Sequence, residues 1–173
     1  VRRVDPGGRD TLFTVNSLNQ VLREVKPEVE PGSGIRYRRD SFYDANDNLV
    51  REDVEQRDSR GRLMADTQLT TLVDFEILNH KTRVTRERDP APLGLNVLSY
   101  EAVPLALRSR FVTVEFAYDA NRNLVLERNG EATAGHDPFN VVRSAYDERD
   151  LLFRQTRGAG SGTPSTSRHD YDG

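Results

Sequence analysis

The chain has 173 residues, 31% of them charged, with a formal net charge of −3. That length suffices for one domain with a core, and the near-even charge gives no field that would draw a nucleic acid. The absence of cysteine removes disulfides, thiol nucleophiles and Cys-based zinc sites, and no apolar run is long enough to span a membrane as a helix.

In chain order, Leu12-Phe13-Thr14-Val15-Asn16 through Val21 reads as two short strands about a polar reversal. Pro27 to Gly34, with two prolines and two glycines, is a loop. Tyr43-Asp44-Ala45-Asn46-Asp47-Asn48-Leu49-Val50 then places an aromatic strand end, a polar turn and an apolar strand start in eight residues. Phe75-Glu76-Ile77-Leu78-Asn79-His80 is a diverged copy of it. A second loop is expected near 89–96. Beyond it, Val97-Leu98 and Leu105-Ala106-Leu107 carry a partial helical pattern that Pro104 would interrupt, so irregular chain is favoured there.

Val112, Val114, Phe116 and Tyr118 alternate along the clearest strand. Tyr118-Asp119-Ala120-Asn121-Arg122-Asn123-Leu124-Val125 follows, nearly repeating the string at 43–50. Asn129-Gly130 is a strong hairpin signal, so residues 111–137 read as strand, turn, strand, turn and a third short strand. Tyr146-Asp147 with Leu151 forms another copy, residues 157–167 read as a linker, and Tyr171-Asp172 opens a further unit. The acidic or amide position recurs at 16, 44, 76, 119, 147 and 172. The spacings of 28, 32, 43, 28 and 25 suggest constant hairpins joined by loops of variable length.

Asp44, Asn46, Asn48, Val50, Glu52 and Glu55 match the ligand spacing of a calcium loop. Leu49, however, occupies the position that needs glycine, Leu124 does so in the second copy, and Arg149 replaces a ligand in a third. Turn chemistry explains the same letters in every copy, because Asp and Asn cap reversals and tolerate left-handed backbone. No metal or cofactor site is therefore expected. His80, His136 and His169 lie in turns or loops without a nucleophile motif, so no enzyme is expected either. Asp5-Pro6, Asp89-Pro90 and Asp137-Pro138 read as turns in which Pro fixes φ after a capping Asp. The excess of Arg over Lys, 23 to 2, suits charged ladders across a sheet face.

The Tyr-Asp-x-x-x-Asn-Leu unit resembles the YD or Rhs repeat family, with Asp47 and Arg122 standing where the family usually has glycine. Asp5-Pro6-Gly7-Gly8-Arg9 is similar to the family's Asp-Pro-x-Gly-Arg. The resemblance implies an all-β fold of tandem antiparallel hairpins, with little or no helix. About six units spanning 1–173 would form an extended curved sheet, a segment of a shell that encloses a polypeptide cargo. It implies bacterial polymorphic or insecticidal toxins, or teneurin-like surface proteins, and so a secreted or cell-surface location. The start at Val1 and the stop within a further unit suggest a segment of a longer chain, whose own remainder and neighbouring repeats would be partners, with no membrane insertion by this segment. The repeat-turn residues are Tyr43, Asp44, Asn46, Asn48, Leu49, Phe75, Glu76, Asn79, Tyr118, Asp119, Asn121, Asn123, Leu124, Tyr146, Asp147, Leu151, Tyr171 and Asp172. The rival reading is an adhesion module binding glycans through exposed Tyr and Arg, or a subunit of a β-rich fibre. Tyr37, Tyr43, Tyr118 and Tyr146 serve more simply as β-formers packing across strands.

Overall fold

The computed structural model describes residues 1–57, 60–88, 91–92 and 96–171. The expected loop at 89–96 lies mostly outside these residues, as does Asp172. The chain divides into two compact units, one of residues 1–74 and 86–111, the other of 75–85 and 112–173.

The first unit carries β1 (Arg2–Val4), β2 (Asp10–Val15), β3 (Val21–Val25), β4 (Arg38–Tyr43), β5 (Leu49–Arg57) and β6 (Leu63–Phe75). Each pairs antiparallel with the next in chain order. In the second unit β7 (Lys81–Glu87), whose last two residues belong to the first unit, lies beside β9 (Phe111–Tyr118). A two-residue β8 (Ala91–Pro92) pairs with β6. β9 is followed in the same antiparallel order by β10 (Leu124–Arg128), β11 (Val141–Tyr146), β12 (Leu152–Arg157) and β13 (Ser165–Arg168). The all-β expectation of tandem antiparallel hairpins therefore holds.

Three local expectations differ from what is found. Asn129-Gly130 does not turn a hairpin: Asn129 precedes a four-residue helix, α1 (Gly130–Thr133), without a side-chain bond to it, and the next strand begins at Val141. Packing decides this, because a Cβ at Gly130 would lie 2.5 Å from Val112 Cγ1, and Thr133 Oγ1 donates to the Thr113 carbonyl at 2.7 Å. The glycine is there for close approach rather than for a tight turn. Pro104 precedes a short 3₁₀ helix at Leu105–Arg110 rather than interrupting one, since its fixed φ of −53° suits a helix start. Ser165-Thr166-Ser167, expected as linker, forms part of β13, with Thr166 Oγ1 3.0 Å from Thr156 Oγ1.

Among the described residues few side chains are fully buried, in keeping with a hydrophobic content of only 35%. In the first unit Leu72 and Val103 are enclosed together with a polar set. Arg51 grips Asp53 through two nitrogens, at 2.9 and 2.8 Å, and donates to the Val97 carbonyl. Thr70 donates its hydroxyl to Asp53 and its N–H to Glu87. Burial of these charges is tolerable because the arrangement supplies their partners. Arginine ladders cross the exposed strands as the composition suggests. Asp40 lies between Arg23 and Arg38, Glu55 between Arg38 and Arg57, and in the second unit Glu115 between Arg83 and Arg128.

Candidate functional site: the repeated hairpin corner

The recurring letters build one object several times over. Call the acidic or amide residue i. At Asn16, Asp44, Glu76, Asp119 and Asp147, the N–H of i donates to the carbonyl of i+4 over 2.9–3.1 Å, and the N–H of i+3 donates to the carbonyl of i over 2.9–3.3 Å. Residue i+3 is Asn19, Asp47, Asn79, Arg122 or Asp150, and every one has φ between 61° and 71°. This is a type I turn closed by a left-handed residue, a common three-residue hairpin connection. The residues just outside it are directly opposite: Val15 faces Val21, Tyr43 faces Leu49, Tyr118 faces Leu124, and Tyr146 faces Leu152.

The side chain of i ties the corner shut. In four copies its Oδ1 accepts the N–H groups of both i+2 and i+4, within 2.9–3.0 Å. The second carboxylate oxygen of Asp44 and of Asp119 accepts the amide of Asn48 and Asn123, and that of Asp147 takes Arg149. Both oxygens of Asp44 and of Asp119, the first residues of the calcium-like spacing, are thus turned onto N–H donors. These bonds hold the carboxyls below the ordinary range. The Asn123 main-chain N–H is the leading cause at Asp119, and the Leu151 N–H at Asp147. At Asp44 partial burial pulls upward most strongly, but the bonds from Asn48 and Asn46 together outweigh it.

Glu76 keeps the main-chain pattern and alters the side-chain one. Its longer chain reaches His80 Nδ1, and the His80 ring stacks on Tyr118 with centroids 4.8 Å apart. Burial, then the Glu76 charge, raises the Tyr118 phenol above its usual value.

Tyrosine, which the sequence suggests most simply as a β-former, has a second task. Tyr43 Oη donates to the Val21 carbonyl, Tyr118 to Lys81, Tyr146 to Leu124 and Tyr171 to Leu152, over 2.9–3.3 Å. In each case the acceptor is residue i+5 of the corner before. Side chains join neighbouring corners as well: Gln20 donates to Asp47 at 2.8 Å, and Asn121 and Asn123 both donate to Asp150.

The structure adds three things to the residues expected. Asp5 makes the same corner, with the Gly8 N–H bonding to its carbonyl, its own N–H bonding to Arg9 and φ of 79° at Gly8. The glycine three residues after the aspartate was the available signal. Leu151 sits at the place of Asn48 and Asn123, and Leu152 is the counterpart of Leu49 and Leu124. Finally, the residue after the opposed pair is an extra one in its strand: Leu22, Val50, Val125 and Phe153 are each passed over in the pairing, a repeated β-bulge. The Val of Asn-Leu-Val is therefore a bulge position.

Among the described residues no group of three or more His, Asp or Glu side chains could hold a metal, and no helix is long and apolar enough to cross a membrane. No family model matches the chain, and no curated protein matches it.

Proposed function

We propose that the chain is a non-catalytic scaffold of the YD or Rhs type, a segment of a β-shell that encloses or presents another, toxin-like polypeptide outside the cell or at a bacterial surface. The observation that carries this reading is the repeated corner. Six copies spend their carboxylates and amides on closing turns, and four tyrosine hydroxyls join neighbouring hairpins. Groups consumed in this way have little left for acid–base or nucleophilic work. The investment is in holding hairpins in a fixed succession, which suits a wall better than a reaction centre.

The test is limited proteolysis of the full-length polypeptide that contains this segment. A second polypeptide region should survive digestion while the hairpins are intact. It should become cleavable when two corners are opened by Asp44→Pro and Asp119→Pro. Equal cleavage of that region in both proteins defeats the reading. Saturable glycan binding that disappears in Tyr37→Ala, at a tyrosine 41% exposed, would replace it with the adhesion reading.

A further inference from the structure

Away from the corners, at the opposite end of β10–β12, the second unit contains an open cleft of about 540 Å³. That is within the roughly 300–1,000 Å³ typical of ligand sites. Glu127, Val142 and Arg157 stand directly opposite one another on three adjacent strands and so share one face. Gln155, two residues before Arg157, shares it too. Asn129, Asn140 and Phe139 come from the connection between β10 and β11 and line the same cleft.

What marks this place is that unpartnered groups of both charges and three carboxamides gather around one cleft. Neighbouring Arg128 pairs with Glu115 at 3.0 Å, and Arg23 and Arg38 in the first unit pair across strands in the same way, while Arg143 and Arg168 stand exposed without an ion pair among the described residues. Yet the side chains of Glu127, Asn129, Asn140, Gln155 and Arg157 have no hydrogen-bond or ion-pair partner among the described residues. Glu127 and Arg157 are kept apart by the whole width of the β11 strand, about 9.5 Å between their backbones at ordinary strand spacing. Between and beside them sit three carboxamides, and each can meet a peptide group through one donor and one acceptor. Phe139, 42% exposed, offers an apolar surface at the rim.

We propose that this cleft binds an extended polypeptide segment carrying one basic and one acidic side chain close together. Glu127 takes the basic group, Arg157 takes the acidic one, and Gln155, Asn129 and Asn140 pair with main-chain amides between them. A purely anionic ligand is disfavoured because Glu127 and Asp137 outnumber the single guanidinium of the lining. An apolar ligand would strand five polar groups without water. The inference rests on the scaffold reading only in taking the partner to be a polypeptide.

The experiment titrates the 173-residue chain with the blocked tripeptide acetyl-Lys-Gly-Glu-amide and with its Lys-Gly-Lys and Glu-Gly-Glu analogues, following the main-chain NMR shifts of Val142, Gln155 and Gly158. The mixed-charge peptide should give saturable shifts, with roughly tenfold weaker binding of the other two. Arg157→Glu should reverse the preference toward Lys-Gly-Lys, an outcome that mere destabilisation does not produce. Gln155→Ala should weaken binding severalfold with the circular dichroism spectrum unchanged. The proposal is overturned by an absence of saturable shifts, by an unaltered preference in Arg157→Glu, or by maltose occupying the cleft in place of peptide. Because isolated peptides and the chain alone are used, failure here leaves the cargo-protection test standing, and the reverse holds as well.

Discussion

At Arg122 the corner demands φ of 71° from a residue whose Cβ disfavours it, whereas Asn19, Asp47, Asn79 and Asp150 are better suited. Arg122→Gly should therefore stabilise the protein by about 0.5–1 kcal/mol, the relief of backbone strain exceeding the extra freedom of glycine in the unfolded chain. Urea denaturation measures it. Asp47→Gly should gain less, since it also removes the acceptor of Gln20. The capping carboxylates set a pH dependence. Asp5, Asp44, Asp119 and Asp147 have folded-state pKa values below their ordinary ones. Their contribution is complete above the unfolded carboxylate value of about 3.9 and is lost as pH falls through the depressed folded values. Melting temperature should drop below about pH 4, and less so in Asp119→Asn, which keeps the Oδ1 acceptor as Asn16 does. Each exposed carboxylate contributes modestly, so the combined variant at 119 and 147 is the one to measure. The capping role was legible in the sequence because Asp and Asn recur at one position. The destination of the tyrosine hydroxyls was not, since a hydroxyl partner on an earlier hairpin depends on strand order.

At the scale of the element, the hairpins at Asn16, Asp44, Asp119 and Asp147 are each marked by an opposed pair, a closed corner and a bulge. The first two follow from local chemistry, and period-two strands flanking a polar turn are enough to suggest them. The bulge at Leu22, Val50, Val125 and Phe153 escapes, because an extra residue looks like ordinary strand sequence until the partner's register is known. The same reason explains Leu151: spelling makes it the counterpart of Leu49 and Leu124, whereas the backbone keeps it in the corner and gives that place to Leu152. Asn129-Gly130 failed through tertiary override, with Val112 fixing the glycine and α1 filling the space. Joining neighbouring elements is the tyrosine's contribution, and Tyr146→Phe isolates it. Loss of the bond to Leu124 should cost about 0.5–1.5 kcal/mol in denaturant, with the packing of the ring retained. Tyr171, more exposed, should cost less when treated alike.

For the molecule as a whole, the all-β class was legible from alternating strands and repeated turns, while the compact units were not, since the sequence names no contact between distant strands. Within each unit the corners of constant build alternate with connections of variable length. In the second unit the corners at Glu76, Asp119 and Asp147 lie at one end, and the connections 129–140 and 158–164 at the other. Lengthening the 158–164 connection with Gly and Ser should cost only about 0.6 kcal/mol per doubling of its length. One residue inserted between Asp119 and Asn123 should instead abolish both main-chain bonds of that corner and displace the register of β10. Thermal denaturation of the two insertions compares them directly.

The tyrosine bonds also have a direction. Tyr43 reaches back to Val21, Tyr118 to Lys81, Tyr146 to Leu124 and Tyr171 to Leu152, in every case toward a hairpin made earlier in the chain. During synthesis, a hairpin leaving the ribosome would find its acceptor already in place, so growth can proceed vectorially with each unit templating its successor. Chains stopped after Arg157 should accordingly retain slow amide exchange at Tyr118 and Leu126. Loss of protection there would mean that the later hairpins, not the earlier ones, supply the template.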